Sequence, residues 1–259
     1  MIKTGIIGYP LKLTLSPALH NFLFNYFNLN GKYTKIATAP SKLSETIKFI
    51  KSEKFRGLNV TIPFKERILE YIDKADGSVQ SVDAVNTVLF TDNKLYGFNT
   101  DIIGFEKSLD FHGLKVKGKR IALLGTGGAA KACAFVIMNK KPEEFFVVGR
   151  KIRKTRLFAD KFNAIATDYE QIEKITNNID ILINATPVDF SNLATDMKKG
   201  SYYYDLKYEK IPEESEGVNM INGLIMFIYQ GIESFRIWTD KRISINKILD
   251  SEVFKCSEC

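Results

Sequence analysis

Cysteine and histidine are scarce in this sequence, whose 259 residues include three cysteines and two histidines. Three cysteines in a chain of this length do not indicate a disulfide framework, and they fit a reducing compartment. Cys256 and Cys259 form a Cys-x-x-Cys pair, which supplies only half of a tetrahedral zinc site. Since His20 and His112 are the only histidines and there is no second cysteine pair, we predict no metal site and a frayed tail.

Long apolar runs are also missing. The segment Ile2–Tyr9 is too short for the core of a signal peptide, and glycines interrupt it. No stretch approaches the roughly 20 apolar residues that a membrane-spanning helix needs. We therefore predict a cytoplasmic protein with no membrane partner.

Low-complexity tracts and internal repeats are absent as well. The 45% hydrophobic and 26% charged fractions are ordinary for a folded chain. Because the length allows two cores of about 100 to 150 residues each, we predict two domains.

The net charge of +7 permits contact with nucleic acid, so the positions of the basic residues matter. They are spread along the chain, with two local clusters at 115–120 and 150–156. Neither cluster has the interleaved aromatic residues of a base-stacking surface. We predict no nucleic-acid partner and treat the second cluster as a candidate anion site. Charge alone leaves a nucleic-acid-binding module as an alternative.

The first hundred residues alternate short apolar runs with amphipathic segments, which is typical of an α/β layer. A helix is predicted from Ser16 and Pro17. The serine side chain can accept from the free amides of the first turn, and proline lacks an amide where none is needed. The predicted strands are Ile2–Gly8, Tyr33–Thr38 and Gly57–Thr61, then a hairpin over Val85–Phe98 that turns at Asp92-Asn93.

The alternation resumes after a basic linker at 115–119, and its rhythm predicts a Rossmann-like domain. The end of the chain predicts two helices that could pack back on the first domain. The predicted strands here are Ile121–Leu124, Phe145–Val148, Ile181–Asn184 and Tyr202–Asp205, with helices from Ala129, Ile152 and Tyr169, then over Gly223–Trp238 and Ile243–Phe254. The predicted fold class is α/β with two domains.

A glycine-rich turn follows the first strand of this second segment. It leads into a helix and consists of Gly125, Thr126, Gly127, Gly128 and Ala129. Glycines let the turn close and let backbone amides approach a pyrophosphate at the positive end of the helix. This context predicts dinucleotide binding, with a tight turn of purely structural meaning as the alternative.

Basic residues stand at the end of the next strand, where the choice of nucleotide should be decided. An acidic residue about 20 positions on would hold the ribose hydroxyls of NAD, and none is there. Instead, Arg150, Lys151 and Lys154 supply cations where a 2′-phosphate would lie. The alternative is that these are solvent-exposed basic side chains with no ligand in the first turn of a helix. That is an unfavourable place for cations, because the N terminus of a helix is its positive end. We therefore predict NADP as the cofactor.

Five separated motifs occur in the rest of the chain: Gly8-Tyr9-Pro10, Thr14–Asn21, Asn59–Lys65, Ala84–Thr87 and Gly97–Gly104. In this order and spacing they closely resemble the shikimate dehydrogenase family, and the resemblance covers nearly the whole chain. It implies reversible, NADPH-dependent reduction of 3-dehydroshikimate to shikimate in aromatic amino-acid biosynthesis. It also implies a substrate-binding α/β domain over 1–101 and 236–259 and a Rossmann-like NADP-binding domain over 102–235. We expect a monomer or a homodimer.

The resemblance also assigns roles to individual residues. Thr14 and Ser16 are assigned to the shikimate carboxylate, and two hydroxyls at a helix N terminus suit that role. Four polar residues are assigned to the ring hydroxyls and the rest of the substrate: Thr61, Asn86, Tyr208 and Gln230. Three more are assigned to the cofactor: Thr186 in a segment beside it, and Leu206 and Gly223 near the nicotinamide.

Lys65 and Asp101 are the predicted catalytic pair. Without the resemblance, a surface lysine and a helix-capping aspartate would be the better interpretation. With it, the Lys65 ammonium supplies a compensating charge and a proton as hydride transfer puts negative charge on the ketone oxygen. Asp101 would orient Lys65 and bind the adjacent hydroxyl. The sequence leaves open whether Lys65 donates the proton or chiefly stabilises charge.

Some positions depart from the family pattern. Thr14 stands where serine is usual, Asp83 replaces a glycine, and Asp189 falls where glycine is common. Gly149 and Lys151 replace the asparagine and threonine that usually flank the arginine. We expect these departures to affect local geometry rather than the reaction.

Three other functions remain as alternatives. A quinate/shikimate dehydrogenase would have a similar fold and often uses NAD, which the basic cluster disfavours. A methylene-tetrahydrofolate dehydrogenase would not explain the motifs at Ser16–Asn21 and Asn59–Lys65 together. A non-enzymatic NADP-binding sensor would keep the glycine turn beside an idle substrate cleft.

Overall fold

The computed structural model describes residues 1–11, 14–208 and 212–255. The chain divides into two compact units, one formed by Met1–Gly104 with Ile228–Cys259 and the other by Phe105–Phe227. The predicted frayed pair, Cys256 and Cys259, lies outside the described residues. Within those residues, no helix has both the length and the apolar character needed to cross a membrane.

The first unit begins with alternating strands and helices. In chain order these are β1 (Ile2–Gly8), α1 (Ser16–Tyr26), β2 (Gly31–Ala37), α2 (Leu43–Ser52), β3 (Gly57–Val60), β4 (Lys74–Ala75), α3 (Gly77–Val82), β5 (Thr87–Thr91) and β6 (Lys94–Phe98), with 3-10 helices at Pro40–Lys42 and Arg67–Tyr71.

These strands form a mixed sheet, in the order β2-β1-β3-β5-β6-β4 among the described residues. β1 runs parallel to β2 and β3, whereas β5 is antiparallel to β3 and β6. Because β1 and β3 are parallel neighbours, the segments that follow Gly8 and Val60 leave the same edge of the sheet. The predicted hairpin is confirmed, and Asp92 and Asn93 have the positive φ angles that a tight two-residue turn requires.

The second unit is built around a parallel sheet. α4 (Asp101–Phe111) leads into it, followed by β7 (Arg120–Leu124), α5 (Gly128–Asn139), β8 (Glu144–Val148), α6 (Ile152–Lys161), β9 (Ile165–Thr167), α7 (Tyr169–Thr176), β10 (Ile181–Asn184), β11 (Tyr202–Asp205) and β12 (Asn219–Ile221), with a 3-10 helix at Ser191–Asp196.

The order of these strands is β12-β11-β10-β7-β8-β9, and each pair of neighbouring strands is parallel. This is the doubly wound order of a dinucleotide-binding fold, so the predicted Rossmann-like sheet is confirmed. The order reverses between β7 and β10. In such sheets a ligand binds outside the carboxyl ends of the strands at that reversal.

The chain returns to the first unit through its C-terminal helices, α8 (Leu224–Thr239), α9 (Ile245–Leu249) and α10 (Glu252–Lys255). Trp238 anchors α8 to the first sheet, and its Nε1 donates to the Val88 carbonyl at 2.9 Å. The prediction of one helix over Ile243–Phe254 is wrong. The amide and the hydroxyl of Ser251 both donate to the Ile248 carbonyl, which closes a turn between α9 and α10.

Candidate active site

Two hydroxyls lie together at the start of α1. Thr14 Oγ1 donates to Ser16 Oγ at 3.0 Å and accepts from the Ser16 amide at 3.2 Å. The prediction that the Ser16 side chain caps α1 is wrong, because Leu15 already has helical backbone angles and takes the cap position. Thr14 instead satisfies a free amide of the first turn. Both hydroxyls therefore remain beside a helix N terminus, where a carboxylate is favoured.

Lys65 and Asp101 form an ion pair with 2.5 Å between Nζ and Oδ2. Their side chains are only 14% and 8% exposed, so little water screens the attraction. Lys65 lies in a turn after β3. Its backbone carbonyl accepts from the Val85 amide at 2.7 Å, which fixes the turn. Asp101 begins α4, whose positive end favours a carboxylate. Two separate backbone elements thus bring the predicted catalytic residues together.

The Asn86 carboxamide holds the other oxygen of the Asp101 carboxylate. Asn86 Nδ2 donates to Asp101 Oδ1 at 2.7 Å, and Asn86 Oδ1 accepts from the Thr100 amide at 2.7 Å. Since a backbone N–H can only donate, the second contact determines which end of the carboxamide faces Asp101. Asn86, Asp101 and Lys65 therefore form one hydrogen-bonded group.

The other predicted substrate residues lie on different elements. Thr61 follows β3, and a Cβ added at Gly8 would come within 2.4 Å of Thr61 Cγ2, so glycine there allows the two strand ends to approach. Gln230 is half-buried in α8. Tyr208 belongs to the second unit, where its ring packs on Phe227 with 4.5 Å between centroids.

The glycine turn lies between β7 and α5 in the second unit. Gly125 has a φ of +112°, and a Cβ there would lie 3.0 Å from Thr186 Cγ2 and 3.1 Å from the Ala185 carbonyl oxygen. Glycine is required there for the backbone conformation and for the close approach. A Cβ added at Gly127 would meet nothing within 4 Å, so open space lies in front of the N terminus of α5. This arrangement fits a bound pyrophosphate.

Thr186 follows β10, the neighbour of β7 at the reversal of strand order. Its hydroxyl and amide both donate to Asn184 Oδ1, at 2.8 and 3.0 Å. Asn184 Nδ2 in turn donates to Asp205 Oδ2 at 3.1 Å, and Lys207 Nζ lies 3.3 Å from the same oxygen. Burial raises the pKa of Asp205, although Lys207 opposes the shift.

Sequence reasoning missed this supporting role of Asp205 and Lys207. The available signal was an acidic residue that ends a buried strand, with a lysine two positions later. The structure shows that the pair holds the loop carrying Thr186, since Lys207 Nζ also donates to the Val188 carbonyl at 3.3 Å.

The predicted phosphate-binding cations lie at the junction of β8 and α6. Arg150, Lys151 and Lys154 are all exposed. A Cβ added at Gly149 would lie 2.5 Å from Thr155 Oγ1 and 3.4 Å from Thr126 Cγ2, so this junction packs closely against the glycine turn. Cations at the N terminus of a helix interact unfavourably with the positive end of the helix dipole unless a bound anion compensates. A nucleotide phosphate would be such an anion.

Leu206 and Gly223 contact each other in the second unit. The Gly223 amide donates to the Lys207 carbonyl at 2.8 Å. A Cβ added at Gly223 would lie 2.0 Å from the Leu206 carbonyl oxygen, so a side chain at position 223 would force the two segments apart. The structure therefore brings these two predicted cofactor residues together.

Comparison with known proteins decides the family. The family model for the shikimate dehydrogenase substrate binding domain matches residues 6–88. The models for shikimate / quinate 5-dehydrogenase and for the shikimate 5'-dehydrogenase C-terminal domain match residues 107–199 and 223–251. The shikimate dehydrogenase (NADP(+)) of Methanothermobacter thermautotrophicus is 35% identical over 258 residues, covering 92% of this chain and 91% of that protein. The chain belongs to the shikimate dehydrogenase family.

Solved shikimate dehydrogenases have the same fold. The enzyme from Aquifex aeolicus superposes with a TM-score of 0.87 at 31% identity, covering 100% of this chain and 97% of that one. The enzyme from Thermus thermophilus, in complex with NADP(H) and shikimate, gives a TM-score of 0.86 at 28% identity, covering 99% and 100%. The predicted family and the predicted α/β fold class are confirmed.

Proposed function

We propose that this chain is an NADP-dependent shikimate dehydrogenase, which catalyses the reversible reduction of 3-dehydroshikimate to shikimate in aromatic amino-acid biosynthesis. The observation that carries the proposal is the buried Lys65–Asp101 ion pair, whose carboxylate is held by Asn86. Relatives described as shikimate dehydrogenase (NADP(+)) align over almost the whole chain, which supports the same activity.

The substrate acid binds to the first unit through two groups of side chains. Thr14 and Ser16 bind its carboxylate, because their hydroxyls and the N terminus of α1 favour an anion. The ring hydroxyls are bound by Thr61, Asn86 and Gln230. A substrate that lacked those hydroxyls would leave polar groups unpaired, which gives selectivity.

NADP binds to the second unit. The backbone of the turn from Gly125 to Ala129 holds the pyrophosphate, and three exposed cations bind the 2′-phosphate: Arg150, Lys151 and Lys154. The nicotinamide end is held by Thr186, Leu206 and Gly223. When bound in its reduced form, the cofactor supplies a hydride to the carbonyl carbon of the substrate.

Lys65 compensates for the charge that this hydride transfer creates. As the new C–H bond forms, the electron pair of the C=O π bond moves to oxygen, and the Lys65 ammonium donates a proton to that oxygen. The products are the alcohol and a neutral lysine, which regains a proton from solvent. Asp101 remains a carboxylate throughout and orients Lys65 through Oδ2. In the reverse direction neutral Lys65 removes the hydroxyl proton.

The test follows absorbance at the nicotinamide band with purified protein. Shikimate and quinate are each offered with NADP and with NAD, in four separate reactions. We expect the highest kcat/KM with shikimate and NADP. A preference for quinate with NAD would show a quinate/shikimate dehydrogenase, and no turnover in any reaction would favour the NADP-binding sensor. The cytoplasmic location, the monomeric or homodimeric state and the exact domain boundaries stay predictions.

A further inference from the structure

A cluster of buried hydroxyls contacts the Asn86–Asp101–Lys65 group through Asn86 in the first unit. Thr87 and Ser234 are both fully buried, and their hydroxyl oxygens lie 2.7 Å apart. Thr87 Oγ1 also donates to Asn86 Oδ1 at 3.0 Å. A buried hydroxyl is favourable only when it is hydrogen-bonded, so this cluster requires these partners to stay in place.

The Thr87 hydroxyl contributes to the hydrogen bonding of the Asn86 carboxamide. Asn86 Oδ1 accepts from the Thr100 amide at 2.7 Å and from the Thr87 hydroxyl at 3.0 Å, and the Thr100 hydroxyl lies 3.2 Å from it. Asn86 Nδ2 donates to Asp101 Oδ1 and to Thr100 Oγ1. Removing the Thr87 hydroxyl takes away one of these donors, so the carboxamide is held less firmly and can tilt away from Asp101.

Ser234 connects this group to α8. Its hydroxyl donates to the Gln230 carbonyl, one turn earlier, at 2.9 Å and accepts from Asn59 Nδ2 at 3.0 Å. It also lies 2.7 Å from Thr87 Oγ1, a contact in which either hydroxyl can be the donor. A serine inside an apolar helix ordinarily bonds only to that carbonyl. The contacts with Thr87 and Asn59 go beyond this.

We infer that Thr87 and Ser234 are positioning residues for the reaction, and this rests on the proposed function. The hydroxyls of Ser234 and Thr87 are in contact, Thr87 donates to Asn86, and Asn86 holds Asp101 where it can orient Lys65. Consecutive hydrogen bonds of this kind strengthen one another in a buried site. Neither side chain touches Lys65 or the substrate in this scheme, so their effect passes through Asn86.

Two substitutions at Thr87 separate the hydroxyl from packing. Thr87→Val keeps the shape and removes the hydroxyl, whereas Thr87→Ser keeps the hydroxyl and removes a methyl group. We expect Thr87→Val to lower kcat roughly tenfold or more, because small misplacements of catalytic groups cost about that much, with a smaller rise in KM for shikimate, since Asn86 is one of several residues that bind the substrate. Thr87→Ser should restore kcat to within about threefold of wild type.

Ser234→Ala should resemble Thr87→Val in its effect on kcat. Ser108→Ala is the matched control, because Ser108 is also a fully buried helical serine that donates to a carbonyl, that of Phe105, at 2.8 Å. Ser108 lies two turns after Asp101 in α4, and its other partner is the Tyr204 hydroxyl, which belongs to the second unit. We expect the control to lose some thermal stability but to keep kcat. Circular dichroism of each variant verifies that it is folded at the assay temperature.

The outcomes separate the two proposals. An active wild type with unchanged kcat in Thr87→Val, or with equal losses in Thr87→Val and Thr87→Ser, would overturn the positioning role and leave the proposed function standing. A wild type that does not turn over shikimate would overturn the proposed function, and the positioning role with it. Loss of kcat in Thr87→Val and Ser234→Ala with recovery in Thr87→Ser supports the inference.

Discussion

The charged groups of Lys65 and Asp101 are largely buried and pair with each other. The Asn86 side chain also donates to the Asp101 carboxylate. Removing such a charge leaves the other one uncompensated, so a substitution here affects chemistry and stability together. Measurements at this site therefore need a folding control beside the kinetic readout. The same reasoning applies less strongly to the exposed cations at the start of α6, where water can replace a lost partner.

Lys65→Ala should lower kcat by about a hundredfold or more, since it removes both the proton donor and the charge that stabilises the developing oxyanion. KM for shikimate should change little, because the carboxylate and most hydroxyls are bound elsewhere. Steady-state kinetics over a range of shikimate concentrations measures both quantities. Lys42→Ala is the control, since Lys42 is 59% exposed in a surface ion pair with Glu45. Equal rates for wild type and Lys65→Ala would contradict the mechanism.

Arg150→Ala should weaken NADPH binding by about 10- to 100-fold, because charge-assisted hydrogen bonds to a phosphate contribute about 1.5 to 3 kcal/mol. NADH lacks the 2′-phosphate, so its binding should change much less. Fluorescence titration with each cofactor gives both Kd values. Arg156→Ala removes another exposed charge from the same basic cluster and serves as the control. Equal losses for NADPH and NADH would place the 2′-phosphate elsewhere.

At the scale of elements, α8 links several features of the first unit. Gln230, Ser234 and Trp238 follow one another at intervals of four residues and so share one face of the helix. Trp238 packs so closely on β3 that only glycine fits opposite it, since a Cβ at Gly57 would lie 2.1 Å from Trp238 Nε1. The packing of Trp238 on β3 therefore fixes the positions of Gln230 and Ser234 relative to the first sheet.

Gly57→Ala should destabilise the protein by about 3 kcal/mol, because the added methyl overpacks a filled site and displaces Trp238. The displacement should also raise KM for shikimate, since Gln230 lies on the same helix face. Urea denaturation followed by tryptophan fluorescence reports on this site directly, as the chain has one tryptophan. Gly77→Ala is the control, because a Cβ there meets nothing within 4 Å. A destabilisation no larger than that of the control would show that α8 adjusts freely.

The elements that the sequence predicted best are those that combine an apolar run with a clear boundary. β10 and β11 have the predicted bounds because each is a buried run that ends at a polar residue. β9 and β12 were missed, since three residues are too few to show a period. The break between α9 and α10 depends on hydrogen bonds of Ser251, which no periodic pattern reveals.

The candidate site was predictable in its motifs but not in its supporting contacts. Lys65 and Asp101 belong to motifs with a known chemical logic, and the structure brings them together. Ser234 lies in an apolar helix where the sequence offers no reason to notice it. Its partners come from strands far away in the chain, so only the fold shows the connection.

For the whole molecule, stability should depend on pH through His20. The ring is fully buried and stacks on Tyr33 with 4.4 Å between centroids. Burial lowers the pKa of His20 from 6.5 to about 3. In the unfolded chain the imidazole takes up a proton near pH 6.5, whereas in the folded chain it stays neutral. Stability is therefore complete above pH 6.5 and falls as the pH drops from 6.5 toward 3.

The wild type should lose about 2 kcal/mol of unfolding free energy through this group between pH 7 and pH 5, by proton linkage. His20→Asn should be less stable at pH 7 but should lose correspondingly less on acidification. Denaturant titrations at the two pH values measure the difference, and the His112 contribution, whose pKa is also lowered by burial, is common to both proteins. Parallel losses in wild type and variant would rule out His20 as the cause.

The first unit is assembled from both ends of the chain, whereas the second is one continuous stretch. During synthesis, residues 105–227 leave the ribosome together and can fold at once, because domains generally fold as units as they emerge. The amino-terminal part of the first unit must wait for Ser234 and Trp238, which are made only after the whole of the second unit. Until α8 has been made, β3 lacks the helix that packs on it, and the nascent chain exposes apolar surface that a chaperone can recognise.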